Sequence, residues 1–181
     1  TVGAKTLTDV AVADIGDQEY TGGQIKPTTV TVTGDSDKTL ELNKDYTVDY
    51  GTNTDVGTGS VIVKAKSGGN YKFSDATKTF NIVAGGSTVT ITSAPGKTYD
   101  GFAVTHPAAT VTGSTGTVSY TYYTDAGCAT MTTTANSGAA SDGEAPRTAG
   151  DYWVKATVAA AGSYGSATSD PVAFTIARAG Y

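Results

Sequence analysis

Histidine, the side chain that most often performs acid–base chemistry, occurs once in this chain of 181 residues. His106 is the only histidine, and it directly precedes Pro107 in a predicted turn. General acid–base catalysis needs a partner within hydrogen-bond reach, and no nucleophile elbow such as G-x-S-x-G lies near this histidine. We therefore interpret His106 as a solvated turn residue, and we predict no catalytic residue and no enzymatic activity.

Cys128 is the only cysteine, so the chain cannot form an internal disulfide. A thiolate zinc site would need more ligands than the chain offers. The surrounding sequence, DAGCATM, contains none of the basic residues that activate a thiol. We interpret Cys128 as a small loop residue.

Carboxylates that are close in sequence in the first half of the chain raise the question of a calcium site. They are Asp35, Asp37, Glu41, Asp45 and Asp49. Calcium loops of the familiar kind need acidic or amide residues at alternate positions, a glycine and a closing acid, and DSDKTLELNKD fails that pattern. We predict solvated turn acids, with no metal and no cofactor, and weak calcium binding between loops stays an open alternative.

A Lys–Asn isopeptide crosslink would need a buried lysine, a buried asparagine and an acid between them. Lys5 and Asn81 lie in predicted opening and closing strands. The neighbours of Asn81, Phe80 and Ile82, are expected to face the core, and side chains alternate along a strand. Asn81 is therefore predicted to face water, which argues against the crosslink.

Trp153 and Tyr123 are the candidate binding residues. If Val154 and the apolar residues at alternate positions face the core, Trp153 faces the opposite way, and Tyr123 is outward by the same argument. An outward Trp and Tyr on one sheet could stack against sugar rings. The alternative, which we favour from sequence, is that neighbouring strand side chains or a nearby insertion mostly cover the indole.

The candidate residues above must be positioned by strands. Apolar and polar residues alternate with period two in ten segments, and no segment keeps a helical period. The segments span 9–15, 28–34, 46–50, 60–65, 79–83, 87–93, 109–113, 117–124, 151–158 and 172–177. Turn-forming stretches rich in Gly, Asn, Asp and Ser separate them. Apolar residues make up 38% of the chain and charged residues only 16%. Thr, Gly, Ala, Ser and Val dominate, which favours half-buried strands joined by glycine turns, so the predicted class is all-β.

Several short sequence motifs occur twice in the same order, which indicates an internal repeat. The anchors are Tyr20-Thr-Gly22 with Tyr99-Asp-Gly101, Pro27 with Pro107, Val63-Lys-Ala65 with Val154-Lys-Ala156, Tyr71 with Tyr164, and Phe80-Asn-Ile82 with Phe174-Thr-Ile176. We predict two β-sandwich modules, 1–84 and 85–181, with an insertion at 125–150 in the second. Each Tyr-x-Gly motif is expected to bury its ring at a corner of the fold, where glycine permits the reversal.

The formal net charge is −5 and the pI about 4.6, with the basic residues scattered singly. No basic stripe is available to neutralise phosphates, so nucleic acid and anionic membranes are not expected as partners. No apolar run approaches the length of roughly 20 residues that a spanning helix needs, so membrane insertion is not expected. We interpret the sequence as an excerpt from a longer protein, whose other domains are its expected partners.

The anchors also carry a resemblance to a known family. EYTGGQIKP, LELNKDYTVDYGTNTDVGTGSVIVKAKSGGNY and TFNI in the first half resemble bacterial immunoglobulin-like modules of the MBG type, and TYDGFAVTHP, PRTAGDYWVKATV and VAFTI resemble a second variant. This resemblance implies two tandem immunoglobulin-like β-sandwiches in an extracellular bacterial surface or secreted protein. It implies a structural spacer, or alternatively an adhesive or carbohydrate-binding module that contacts a glycan or a host or cell-surface protein.

Overall fold

The structure is a computed structural model that describes residues 3–180. Positions 1, 2 and 181 of the two predicted modules lie outside these described residues. The chain divides into two compact units, Thr1–Gly85 and Gly86–Tyr181. That these units are two separate β-sandwich modules, divided as 1–84 and 85–181, stays a prediction.

The described part of the first unit forms nine strands, β1 to β9. They are Lys5–Thr6, Ala11–Val12, Gln18–Glu19, Val32–Gly34, Lys38–Thr39, Tyr46–Tyr50, Gly57–Ala65, Tyr71–Lys72 and Ala76–Val83, and a 3₁₀ turn spans Asp35–Asp37. The sheets have the orders β3-β9-β7-β6, β2-β4-β5 and β1-β8. The pairs β3–β9 and β1–β8 are parallel.

The core of the first unit lies between the four-stranded sheet and the smaller sheets. Alternate residues of β7 and β9, among them Val61, Val63 and Phe80, are buried. They share one cluster with Val32 and Leu40, which come from the side of the three-stranded sheet. Burial of two facing apolar surfaces is what holds a β-sandwich together.

The second unit contributes strands β10 to β16 and one short helix, α1. The strands are Thr88–Ile91, Lys97–Thr98, Ala109–Thr112, Val118–Tyr123, Gly150–Val158, Ala167–Thr168 and Val172–Ala177, and α1 is Thr134–Ser137. One sheet has the order β11-β16-β14-β13 with β15 also paired to β14, and the other is β10-β12. The pair β11–β16 is parallel.

The second unit has its own apolar core with the same arrangement. Tyr122, Val154 and Phe174 are buried on the larger sheet, and Val89 and Ile91 of β10 pack in the same cluster. The all-β, sandwich-like fold predicted from the sequence is therefore confirmed. Each of the ten predicted strand segments overlaps an observed strand. The short strands β3, β5, β8, β11 and β15 and the helix in the insertion were not predicted.

The two units repeat the same parallel register at their closing strands. Gln18 is opposite Ile82 in the first unit, and Lys97 is opposite Ile176 in the second. Each of these short strands ends directly before the tyrosine of a Tyr-x-Gly motif. The backbone N–H groups of Tyr20 and Tyr99 then extend the two ladders by one more hydrogen bond each, of 2.9 and 2.8 Å.

The central strands correct one part of the predicted repeat. Gly59 is opposite Phe80 in the first unit, and Tyr152 is opposite Phe174 in the second. The matching closing strands therefore align Gly59 with Tyr152. In this alignment the two Val-Lys-Ala segments are offset by two residues, so the match between them that the sequence suggested is wrong.

None of the helices within residues 3–180 has the length and apolar content that crossing a membrane requires.

Candidate functional site

Trp153 and Tyr123, the two predicted binding candidates, are adjacent on the outer face of the larger sheet in the second unit. They are directly opposite each other in the antiparallel pair β13–β14. Ala173 of β16 is opposite Trp153 on its other side. Their strand neighbours Tyr122 and Val154 are 0% exposed, so alternation turns both candidates away from the core.

Both candidate rings are half-buried, so the indole is neither fully covered nor fully open. A shallow cleft of about 240 Å³ lies beside Trp153. Trp153, Ala173, Thr175 and Asp151 line it with their outward side chains. The Thr175 hydroxyl donates a hydrogen bond of 2.7 Å to Asp151 Oδ1. The lining of the cleft therefore includes an aromatic ring, a methyl group and a hydrogen-bonded polar pair.

The insertion binds the edge of β13 beside this face. The Tyr122 N–H donates to the Gly143 carbonyl at 2.9 Å, and the Thr132 N–H donates to the Tyr122 carbonyl at 2.9 Å. Met131 forms a β-bridge with Tyr123. Trp153 lies one strand further in, so backbone pairing with the insertion reaches its neighbour and not Trp153 itself.

His106 is exposed, as the sequence predicted, but its ring is held by two tyrosines. It stacks on Tyr120 with ring centroids 4.8 Å apart and an interplanar angle of 9°. Its Nδ1 lies 2.9 Å from the hydroxyl of buried Tyr122. This cluster was missed from the sequence, although alternation in β13 places both tyrosines on one face and could have indicated their proximity.

The buried hydroxyl of Tyr122 does not ionise at physiological pH. Burial is the main cause that raises its pKa above the ordinary value of 10.0, with smaller contributions from Tyr120 and Glu144. Tyr122 therefore stays neutral at physiological pH, when it can donate to or accept from His106 Nδ1. The pair is suited to fixing the geometry of the end of the sheet.

The first unit places a cation at the corresponding position. Lys26 and His106 each precede a buried proline, and the strand register aligns Tyr50 with Tyr122. Lys26 Nζ lies 5.7 Å from the centroid of the Tyr50 ring. Because both units repeat the contact between a basic residue and a tyrosine, it belongs to the architecture of the unit.

The carboxylates considered for calcium bind separate partners. Asp35 accepts hydrogen bonds of 3.0 Å from the backbone N–H groups of Thr8 and Asp9. The bond from Asp9 is the largest cause that holds the pKa of Asp35 below its ordinary value. Asp49 pairs with Lys64 at 2.7 Å.

The prediction that all five carboxylates are solvated is wrong for Asp45, which is 3% exposed. Asp45 accepts hydrogen bonds from the Glu41 N–H at 3.0 Å and from Asn70 Nδ2 at 3.2 Å. It closes a turn and satisfies backbone groups there. Across residues 3–180, no group of three or more His, Cys, Asp and Glu side chains is placed to hold a metal ion.

Lys5 and Asn81 are not brought together. Asn81 is exposed and donates to Asp17 Oδ1 at 3.2 Å, so it faces solvent as predicted. Lys5 Nζ lies 3.9 Å from Asp35 Oδ2. The two residues considered for a crosslink thus have different partners.

Cys128 lies in a tight turn organised by Asp125. Its N–H donates to the Asp125 carbonyl at 3.1 Å, and its φ of 53° is in the left-handed region. Asp125 Oδ2 accepts a 2.7 Å hydrogen bond from the Thr130 N–H, and backbone bonds of this kind, that from Thr130 first, lower the pKa of the Asp125 carboxyl. Cys128 is half-buried and occupies the loop position that the sequence suggested.

The glycines of the two Tyr-x-Gly motifs have the same conformation. Gly22 has φ of 84° and Gly101 has φ of 83°, values that glycine adopts without a steric penalty. The burial expected of the tyrosines does not follow. Tyr20 is half-buried and Tyr99 is 45% exposed, so the turn depends on its backbone and glycine more than on a buried ring.

Comparison with protein-family models and with curated protein sequences found no match for this chain.

Proposed function

We propose that this chain is a non-catalytic spacer segment of a larger bacterial surface or secreted protein, made of two immunoglobulin-like modules of the MBG type. Its partners would be other domains of the same parent chain, in an extracellular setting. The single observation that carries the proposal is the parallel pairing of an early and a closing strand in each unit. The pairs are β3–β9 and β11–β16.

Parallel pairing matters because of the direction in which a spacer is loaded. When the chain is pulled from its two ends, an early strand and the closing strand move in opposite directions along their own axes. Their hydrogen bonds are then loaded together, in shear. In an antiparallel pair that is pulled open from one end, the bonds would break one after another.

Each of these parallel strand pairs forms a clamp between an early strand and the closing strand. The clamp of the second unit, β11–β16, is extended by one hydrogen bond that a single substitution can remove. The Tyr99 N–H donates to the Ala177 carbonyl at 2.8 Å. Tyr99 is 45% exposed, so replacing its side chain removes little core packing. Tyr20 provides the corresponding bond, to Val83, in the first unit.

The proposal is tested by stretching the full chain from both termini in a force spectrometer. We expect two separate unfolding events, each releasing about 30 nm of chain, since a residue spans roughly 3.3–3.6 Å when extended. Tyr99→Pro removes the N–H and is expected to lower one of the two rupture forces. Tyr99→Ala keeps the N–H and is the matched control.

Unfolding without a resolvable force peak would contradict a load-bearing role. Equal rupture forces for Tyr99→Pro and Tyr99→Ala would show that the parallel clamp does not carry the load. A purified catalytic activity that one side-chain replacement abolishes would overturn the non-catalytic part of the proposal.

A further inference from the structure

We propose that the cleft beside Trp153 on the outer face of the second unit binds a neutral polysaccharide, with one pyranose ring stacked on the indole. This goes beyond the spacer role and does not depend on it. The site consists of Trp153, of Ala173, Asp151 and Thr175, which line the cleft beside it, and of Tyr123, which is adjacent to the indole on its other side.

The aromatic part of the site is continuous across two strands. Tyr123 and Trp153 are direct cross-strand neighbours, and such neighbours have Cβ atoms roughly 4.5–5.5 Å apart. An aromatic face is apolar and electron-rich, so it suits the C–H groups on one side of a pyranose ring. Both rings are half-buried, so they are supported from the sides and lose little freedom when a ligand binds.

Room for the ring comes from the residue next to the indole. Ala173 is opposite Trp153 and is exposed. A larger side chain there would fill the cleft, whose volume of about 240 Å³ is below the roughly 300–1,000 Å³ typical of small-molecule pockets. The cleft therefore suits a single sugar ring of a longer chain that runs across the sheet.

Polar groups stand on both sides of the aromatic row, where sugar hydroxyls would be. Asp151 and Thr175, already hydrogen-bonded to each other, lie on one side. Thr121 and Lys155 are opposite each other on the other side. Few precisely placed donors and acceptors beside an aromatic wall are what orients a ligand in such a cleft.

Charge favours a neutral glycan over an acidic one. The chain carries a formal net charge of −5, and the Asp151 carboxylate lies at the cleft itself. Lys155 is on the other side of the aromatic row and does not line the cleft. A uronic acid in the cleft would therefore meet the Asp151 carboxylate, and like charges repel. Sugar hydroxyls instead can donate to the carboxylate.

The first unit provides an internal comparison. Its corresponding row has Ser60 opposite Thr79 where the second unit has Trp153 opposite Ala173. The same sheet position therefore has no aromatic surface in the first unit. The proposal assigns glycan binding to the second unit alone.

The test is affinity electrophoresis of the full chain through gels containing hydroxyethylcellulose, galactomannan or mixed-linkage β-glucan, with polygalacturonate as the acidic comparison. We expect retardation by at least one neutral polymer and none by polygalacturonate. Because Trp153 is the only tryptophan, its emission should also change saturably in a titration with the polymer that retards the chain. Trp153→Ala should weaken binding about tenfold or more, as truncation of a central aromatic contact usually does.

Two further variants separate binding from folding. Ala173→Ile fills the cleft at an exposed strand position, so it should abolish retardation without lowering the melting temperature. Ser60→Ala changes the corresponding position of the first unit and should leave retardation unchanged. Absence of saturable binding to all three neutral polymers overturns the proposal. So does wild-type affinity in a folded Ala173→Ile variant, or equal retardation by polygalacturonate.

Discussion

The cores of the two units differ at one corresponding pair of residues. The first unit pairs a glycine with a phenyl ring there, and the second unit pairs two aromatic rings. In the first unit a methyl group added at Gly59 would lie 2.5 Å from Cζ of Phe80, so the phenyl ring covers the glycine. In the second unit the corresponding residue is Tyr152, which stacks on Phe174 with centroids 5.7 Å apart. The same strand register thus supports two different cores, provided that the ring on the partner strand makes room for the larger residue.

A second difference lies at the edge of the larger sheet. In the second unit the backbone of Tyr122 is paired on its outer side with Gly143 and Thr132 of the insertion. In the first unit the corresponding residue is Tyr50, whose backbone N–H has no backbone partner within the described residues. The insertion therefore protects an edge that the first unit leaves open.

The largest effect is expected from Tyr152→Ala, which removes a buried ring from the second core. Tyr152 is 3% exposed, and its hydroxyl donates to the Thr148 carbonyl at 3.1 Å. Loss of a large buried aromatic side chain costs about 3–5 kcal/mol. Urea unfolding monitored by Trp153 emission reports the second unit alone, and its midpoint should fall sharply.

Gly59→Ala is the matched change in the first unit. Overpacking against Phe80 should cost about 1–3 kcal/mol in the transition of the first unit, followed by circular dichroism. The Trp153 signal should not move. Coupled shifts of both signals in either variant would show that the units do not unfold independently, and would contradict the proposed modules 1–84 and 85–181.

Tyr122→Phe tests whether the buried hydroxyl matters beyond its ring. At neutral pH the loss of the hydrogen bond to His106 should cost about 1 kcal/mol. The Tyr122 pKa is raised in the folded state from an ordinary value of 10.0. The stability of the wild type that depends on this group is therefore fully present below pH 10.0 and is lost as pH rises, because the unfolded state ionises first.

The comparison is made by urea unfolding between about pH 8 and about pH 11. Above the ordinary tyrosine pKa the difference between wild type and Tyr122→Phe should shrink by up to about 1.4 kcal/mol for each pH unit. Tyr123→Phe, on the outer face of the same strand, retains Tyr122 and should lose stability with pH as the wild type does. Parallel curves for wild type and Tyr122→Phe would refute the role of burial.

The sequence predicted those parts of the fold that depend on alternation. The strands around Tyr46–Tyr50 and Val172–Ala177 have the predicted bounds, because period-two patterns report one buried face directly. The outward placement of Trp153 and Asn81 follows from the same rule. The predicted repeat depends most on the Phe-x-Ile pattern that each closing strand retains.

Tertiary contacts between segments that are distant in sequence were harder to predict from the sequence. The buried carboxylate of Asp45 is explained by Asn70, which is 25 positions away, and no local pattern indicates that pairing. The offset of the Val-Lys-Ala segments escaped detection because a shift of two residues preserves which side chains face the core. The contact of His106 with Tyr122 likewise depends on how a loop folds back over β13.

The last prediction concerns local opening at the sheet edges, which involves the smallest free-energy difference. Amide hydrogen exchange at Tyr50 and Tyr122 tests whether the two edges differ. Gly51 donates to Ser60 at 2.9 Å, so by alternation Asp49 N–H faces β7 while Tyr50 N–H faces outward. The Tyr50 amide should therefore exchange about tenfold or more faster than the Asp49 amide, its internal control in the same unit.

The Tyr122 amide donates to Gly143, so it should be protected to the same degree as its inward-facing neighbour Thr121. Protection at Tyr122 no greater than at Tyr50, relative to these neighbours, would mean that the insertion does not stay on the edge in solution. Protection at Tyr50 that increases with protein concentration would have a different meaning. A second chain would then be adding a strand to the open edge, as unpaired strands permit, and the two units would differ only in whether that strand comes from the same chain.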